Sequence, residues 1–301
     1  MAPLLDSLGQ KLAEKWISAL AAPGLIFVAA AAAGAVLGQG DALDRSALLE
    51  RTGHWAAEAA RWSTVGQIAA VAAVVLASVA AGTFVRTCAR GAELIWTGEW
   101  PSLARPLTDW LTARRLRRWE QIHAEITALR SATPAHRRGA QLRQDLDGRA
   151  ARRDSIALAP PRRPTFTGDC LAATETRLHH QYGIDLASCW MRLWLVLPDD
   201  VRTELRMSRA RFDAAVAGSV WAGCYAVLGC FWWPAAVGAV VVGLVAWRRG
   251  RRVGTAHAEL VESTVDVYLK RLAHELGLDG SDNRPDARVG TALSRIARKG
   301  A

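Results

Sequence analysis

Lysine is scarce in this chain: of 38 basic side chains only Lys11, Lys15, Lys270 and Lys299 are lysine, and the rest are arginine. Arginine offers a planar fork to carboxylate or phosphate and also marks the inward ends of membrane segments. With this much alanine, a GC-rich genome accounts for the bias equally well. Cysteine is sparse too. Cys88, Cys170, Cys189, Cys224 and Cys230 form no CxxC pair, which argues against a disulfide framework or a zinc module as the basis of the fold. No GxxxxGK[ST] loop, GxGxxG turn, GxSxG elbow or HExxH helix occurs. The common catalytic signatures are therefore missing, and the reading is a non-enzyme with no catalytic residue and no cofactor.

The most informative absence is local. None of the 66 charged side chains falls in Ile17 to Gly40, Trp62 to Val85 or Ala214 to Trp247, although the chain carries a net charge of +10. About 20 apolar residues cross the hydrocarbon core, so the first two runs each span once. The first follows Lys11 and Lys15 and reads as an anchor, not a cleaved signal peptide. The third run, 34 residues long, would extend about 51 Å as one helix at about 1.5 Å per residue, against a core of about 30 Å. A fold-back at Trp232-Trp233-Pro234 resolves this, since proline suits the first turn of a returning helix and tryptophan suits the interface.

Charge orients the spans. Arg206, Arg209 and Arg211 precede the third run and Arg248, Arg249, Arg251 and Arg252 follow it, which places both its ends in the cytoplasm. Asp41 to Arg61 carries four acids and three arginines, whereas Arg86 to Asp213 carries 22 arginines and 15 acids. The fold class expected is all-α: a polytopic membrane protein with four transmembrane helices in two hairpins and a helical cytoplasmic domain. The divisions are a cytoplasmic N-terminus at 1–16, a first hairpin at 17–86 and the arginine-rich domain at 87–213. A second hairpin at 214–249, an amphipathic helix at 250–278 and a disordered tail at 279–301 follow, the tail being expected from its glycine, proline and charge content.

Within the cytoplasmic part, helical spacing predicts a helix from Thr108 to about Ser131, with Trp119, Ile122, Ile126 and Leu129 on one face. A polar helix is expected from Arg137 to Arg153. Pro160-Pro161-Arg162-Arg163-Pro164 reads as a stiff linker and the clearest internal boundary. A helix from Gly168 to Tyr182 should close at Gly183. Ile184 to Leu197 is too short to span and is either packed core or an in-plane helix. Pro198-Asp199-Asp200 opens a helix that meets no breaker before the third run.

Two sets of residues are candidates for interaction. Arg114, Arg115, Arg117, Arg118, Arg137, Arg138, Arg152 and Arg153 could bind an anionic nucleotide or oligonucleotide, or could simply form a solvated face near anionic headgroups. Gly34, Gly38, Gly218, Ala222, Ala239 and Gly243 have small-xxx-small spacing and suit helix packing, within one chain or between subunits. Glu175 and His179 share a helical face but lack further metal ligands at fixed spacing, so no metal site is assigned.

Thr165 to Ala215 carries Gly168-Asp169, Tyr182-Gly183-Ile184-Asp185-Leu186, Trp190-Met191-Arg192-Leu193-Trp194 and Leu197-Pro198. This stretch resembles a pattern in uncharacterised four-span bacterial membrane proteins, especially actinobacterial ones, with Met191 where the pattern has proline. The resemblance covers roughly the last 140 residues. It implies the layout of cytoplasmic block, second hairpin and amphipathic helix, and it implies no activity.

Two functions fit these features. One is a homo-oligomeric effector in the bacterial inner membrane, both termini cytoplasmic, forming a pore or ion channel controlled by an anionic ligand, possible in antiviral defence by analogy of layout. The other is a non-conducting scaffold or sensor that recruits a cytoplasmic protein partner through the Trp119–Leu129 and Val261–Leu276 faces.

Overall fold

The structure, a computed structural model, describes residues 22–132, 139–278 and 287–299. The expected N-terminal segment at 1–16 lies outside these residues. Among the described residues the regular elements are all helical, and the chain divides into two compact units, residues 1–92 with 215–248 and residues 93–214 with 249–301. The division falls inside three helices.

The first unit contains α1 (Ala22–Leu37), α2 (Arg45–Ala59) and most of α3 (Thr64–Thr97), with the apolar parts of α8 (Asp199–Gly229) and α9 (Trp233–Glu275). Two of these, α3 and α8, are long and apolar enough to cross a membrane, and only 17% of the most apolar window of each is buried. Val65, Ile68, Val71 and Leu76 on α3 and Val237, Val240, Val241 and Leu244 on α9 all project outward. A soluble core helix buries such side chains, and an exposed apolar face of this extent marks a surface that meets a membrane or another protein. The Asp41–Arg61 connection is not a plain loop, because most of it is α2, whose Arg51 donates to the Val36 carbonyl.

Small residues let these helices close on one another. A Cβ added at Gly24 would stand 2.2 Å from the Ser78 carbonyl oxygen, and one at Gly34 would stand 2.9 Å from Trp232 Cβ. Phe27 lies edge-on to Tyr225 at 5.3 Å. At the turn between α8 and α9, Gln39 Nε2 donates to the Cys230 carbonyl at 3.0 Å, and Gln39 Oε1 accepts from Trp233 N at 3.1 Å. The turn falls at the expected Trp232-Trp233-Pro234, with Pro234 in the first turn of α9, where its missing N–H costs nothing.

The second unit contains a 3-10 turn (Ser102–Ala104), α4 (Arg105–Ala132), α5 (Ala140–Asp154), α6 (Phe166–Tyr182), α7 (Leu186–Val196) and α10 (Ala287–Ala297), with the polar ends of α8 and α9. Thr165 caps α6 by accepting from Gly168 N, and Gly183 ends it at φ 68°, the left-handed conformation that glycine enters without penalty. The core joins Leu178, Ile184, Leu193, Leu205, Leu269 and Leu293. Packed core is thus the answer for α7, whose Cys189 and Leu193 are buried while Met191 and Leu195 project.

Three expectations need correcting. The stretch at 250–278 is not a separate helix: α9 runs unbroken through it, because Gly250 lies beneath the Trp96 ring and supports close packing instead of breaking the helix. The proline-rich segment at 160–164 is not a boundary, because Pro161 is buried and Asp169 accepts from the backbone N–H groups of Arg162 and Arg163 at 2.8 and 2.7 Å. Within the expected disordered tail, 287–297 is helical. Its Leu293 is buried in the core, Ser294 Oγ accepts from Asp185 N at 2.8 Å, and Gly290 meets the Tyr182 carbonyl. Glycine, proline and charge dominated the local composition and hid the helical spacing of Val289, Leu293 and Ile296.

Candidate ligand pocket in the second unit

Among the described residues, the arginines singled out from the sequence do not all lie on one surface. Arg115 is used internally. It pairs with Asp169 at 2.5 Å, donates to the carbonyls of Arg163 and Ile156, and has a side chain only 17% exposed. Arg153 pairs with Asp154 and lies over Trp119, whose indole donates to the Ala157 carbonyl at 2.9 Å. Arg114 stacks on Trp110 at 5.4 Å. Arg117, Arg118 and Arg152 are exposed, and Arg152 shares a shallow groove between α4 and α5 with Arg149, Glu125 and Asp145, where Arg149 pairs with both acids at 2.5 and 3.3 Å. Arg137 and Arg138 lie outside the described residues.

Small residues are used within the chain as well. Gly218 faces Ala246, Gly243 faces Ala222, Gly34 faces Trp232 and Ala239 is buried. Gly38 packs against no described residue of its own chain: it turns the backbone after α1 at φ 63°, with open space where a Cβ would stand.

The concave site sits elsewhere. A cavity of about 660 Å³ opens between α6, α7, α8 and α9, within the size range of small-molecule sites. Its walls are mainly Leu171, Leu186, Trp190, Trp194, Leu205 and Val261, and its polar groups include Arg206, Arg209, Asp213 and His257. Helical spacing builds it. Trp190 and Trp194 are one turn apart on α7, with ring centroids at 6.2 Å. Arg206, Arg209 and Asp213 recur every three or four residues on α8, and His257 and Val261 are one turn apart on α9.

Charges in this cavity are unequally committed. Arg209 pairs with Asp213 at 3.0 Å and with Glu93. Arg206 lines the cavity, stacks over Trp194 at 5.5 Å, is exposed, and pairs with no carboxylate among the described residues. His257 Nδ1 lies 3.1 Å from Ser208 Oγ. Burial raises the Asp213 pKa, with Arg209 opposing and Glu93 assisting. Burial, aided by Arg209, lowers the His257 pKa against the pull of Asp213.

His257 carries a pH prediction. Its folded pKa lies below the unfolded value, so the unfolded chain takes up this proton first on acidification. The neutral ring's contribution to stability is then fully present above about pH 6.5 and is lost as pH falls through the imidazole range. The thermal midpoint in detergent should drop between pH 7.5 and 5.5, and His257→Gln should flatten that slope. Asp213 acts in the opposite sense, and comparison with the variant subtracts it. A slope unchanged by the substitution would refute the assignment.

Other chemistry is thin. Glu175, His179 and His180 are exposed, and among the described residues no group of three or more His, Cys, Asp or Glu is placed to hold a metal ion. Cys170 is buried beside Thr255, and burial raises its pKa, which makes it a poor nucleophile.

The sequence offered only indirect signals for the pocket. Trp190 and Trp194 read as a packing face and Arg206 and Arg209 as a topology signal, while His257 carried no signal of its own. No family model, curated protein or solved structure matches the chain.

Proposed function

We propose that this chain is a four-span protein of the bacterial inner membrane with both termini cytoplasmic. In this reading α1, α3 and the apolar parts of α8 and α9 form the two hairpins, and the second unit is a cytoplasmic sensor. It is an oligomeric effector whose membrane part conducts ions when the sensor changes state. The controlling ligand is an anionic amphiphile, with its apolar body against Trp190, Trp194 and Leu205 and its acidic head on Arg206. The mostly apolar walls favour an acyl or aryl body over a bare nucleotide.

One observation carries this reading. The pocket is walled by α8 and α9, and each of these helices continues without a break into an apolar segment. A ligand that shifts Arg206 or Val261 therefore acts on the same rigid helices that form the second hairpin. The α4 and α9 stripes that would have docked a cytoplasmic partner are filled internally, since Trp119, Ile126, Val265 and Leu269 are buried. The scaffold reading thus loses the surfaces that motivated it. Because the small residues pack within the chain, contacts between subunits fall to exposed apolar surface such as the α3 groove lined by Ile68, Val71 and Val75.

The test is flux of a potassium-sensitive dye from proteoliposomes titrated with decanoate and decyl phosphate. Flux that rises with ligand and falls at least about tenfold in Arg206→Ala, the scale of one lost charge-assisted hydrogen bond, supports the reading. Silence at every concentration, with a monomer in detergent, ends it.

A further inference from the structure

Helix α4 has two faces of different character. Leu111, Arg115, Trp119, Ile122 and Ile126 are buried or half-buried. On another face Leu103, in the 3-10 turn just before α4, is followed by Leu107, Trp110 and Arg114. Leu103 is 94% exposed, and Leu107 and Trp110 are each about half exposed. Positions 103, 107, 110 and 114 recur at three- and four-residue intervals, so they form one stripe. Arg114 covers Trp110 and keeps its guanidinium outward. Exposed Arg117 and Arg118 flank the stripe and exposed Arg105 stands at the start of α4, against Asp109 and Glu120.

Chain continuity fixes what this stripe can meet. Helix α3, with its bare apolar surface, ends at Thr97, where Gly98 turns the backbone at φ 73° and Glu99 N donates to the Leu94 carbonyl at 3.0 Å. Leu103 follows six residues later. At no more than about 3.6 Å per residue it stays within roughly 22 Å of the end of α3. Trp100 follows the turn, and its indole donates to the Ile95 carbonyl at 3.1 Å. An apolar ridge with a tryptophan and a basic rim, tethered this closely to a spanning helix, has the chemistry of an in-plane interfacial segment.

We propose that Leu103, Leu107 and Trp110 form a membrane anchor that lies in the headgroup layer of an anionic bilayer, with Arg114 on lipid phosphate. The apolar side chains enter the acyl boundary while α4 rests along the surface. This rests on the membrane reading of α3 and is independent of the pocket and of conduction.

The experiment uses the full-length chain in a background with Cys88→Ala, Cys224→Ala and Cys230→Ala, since these three thiols are not buried, labelled with a nitrobenzoxadiazole maleimide at Leu103→Cys and reconstituted in phosphatidylglycerol-rich vesicles. Val71→Cys in the middle of α3 and Ser131→Cys at the far end of α4 serve as references. The expected result is quenching at position 103 by shallow spin-labelled lipid that is several-fold stronger than quenching by aqueous iodide. That preference should weaken in phosphatidylcholine and with Arg114→Ala, while position 131 stays accessible to iodide. Iodide access at 103 with lipid quenching at 71 overturns the anchor and leaves the spanning helix intact. Iodide access at both positions overturns the membrane reading as well. Protection from both quenchers at 103 means that protein covers the stripe, and this also overturns the proposal.

Discussion

Replacing Asp169 by alanine lowers the thermal midpoint of the detergent-solubilised protein by on the order of 10 °C, the largest loss expected from any single polar side chain described above. Its carboxylate is 8% exposed and accepts from the Arg115 guanidinium and from the backbone N–H groups of Arg162 and Arg163. Removing it strands a nearly buried guanidinium and two backbone donors. Breaking a buried pair from one side costs about 3–5 kcal/mol, and each kcal/mol moves the midpoint of a domain this size by about 2–4 °C. Glu99→Ala is the matched control. Its ion pair with Arg163 at 2.9 Å is mostly solvated, so it should cost no more than about 1 kcal/mol. The two variants melting within about 2 °C of one another would show that the Asp169 cluster does not hold the second unit together.

Undocking of α10 is the second large effect. Leu293 is 1% exposed in the shared core, whereas Ile296, one turn on, is 42% exposed. Leu293→Ala should therefore cost about 2–5 kcal/mol through lost burial and a residual cavity, and Ile296→Ala about 0.5 kcal/mol or less. Hydrogen exchange separates a local from a global response. Amides of α10 should exchange faster in Leu293→Ala while those of α6 and α8 change less, because α10 joins the core as a single docked element. Equal exchange in the two variants would mean that the helix is dispensable to that core. The Asp185–Arg298 pair supports the docking from the rim: the Arg298 guanidinium holds the Asp185 carboxyl below its ordinary pKa.

The parts legible in the sequence were those written in local periodicity. The α3 run, the fold-back before Pro234, the left-handed closure at Gly183 and the helix opened by Asp199 and Asp200 are each fixed by residues within a turn or two. What escaped detection depends on long-range contacts. Gly250 and Gly254 look like helix breakers until Trp96 and Thr167 are seen against them. Asp169 looks like an ordinary first-turn acid until the proline-rich segment folds onto it. The 287–297 segment looks disordered because its partners lie about a hundred residues earlier, on α6 and α7.

The arginines divide for the same reason. Composition and spacing group Arg114, Arg115, Arg117 and Arg118 as one basic face, but successive residues on a helix point some 100° apart. Arg115 accordingly turns inward to Asp169 while its neighbours stay in solvent. The pocket residues are spread from Leu171 to Val261, and only the packing of four helices brings them together.

The amide of Gln39 ties together residues separated by 191 positions, since its partner is the Cys230 carbonyl. At synthesis rates of about 5–20 residues per second, roughly ten to forty seconds separate the making of Gln39 from that of the carbonyl it meets. During this interval Gln39 lacks its partner and the seat of Trp232 against Gly34 is empty. Assembly is therefore sequential: the early helices form an unfinished half, with a polar amide and a gap that only the turn between α8 and α9 can fill. Lengthening the middle of the chain would prolong that exposure without altering the finished contact.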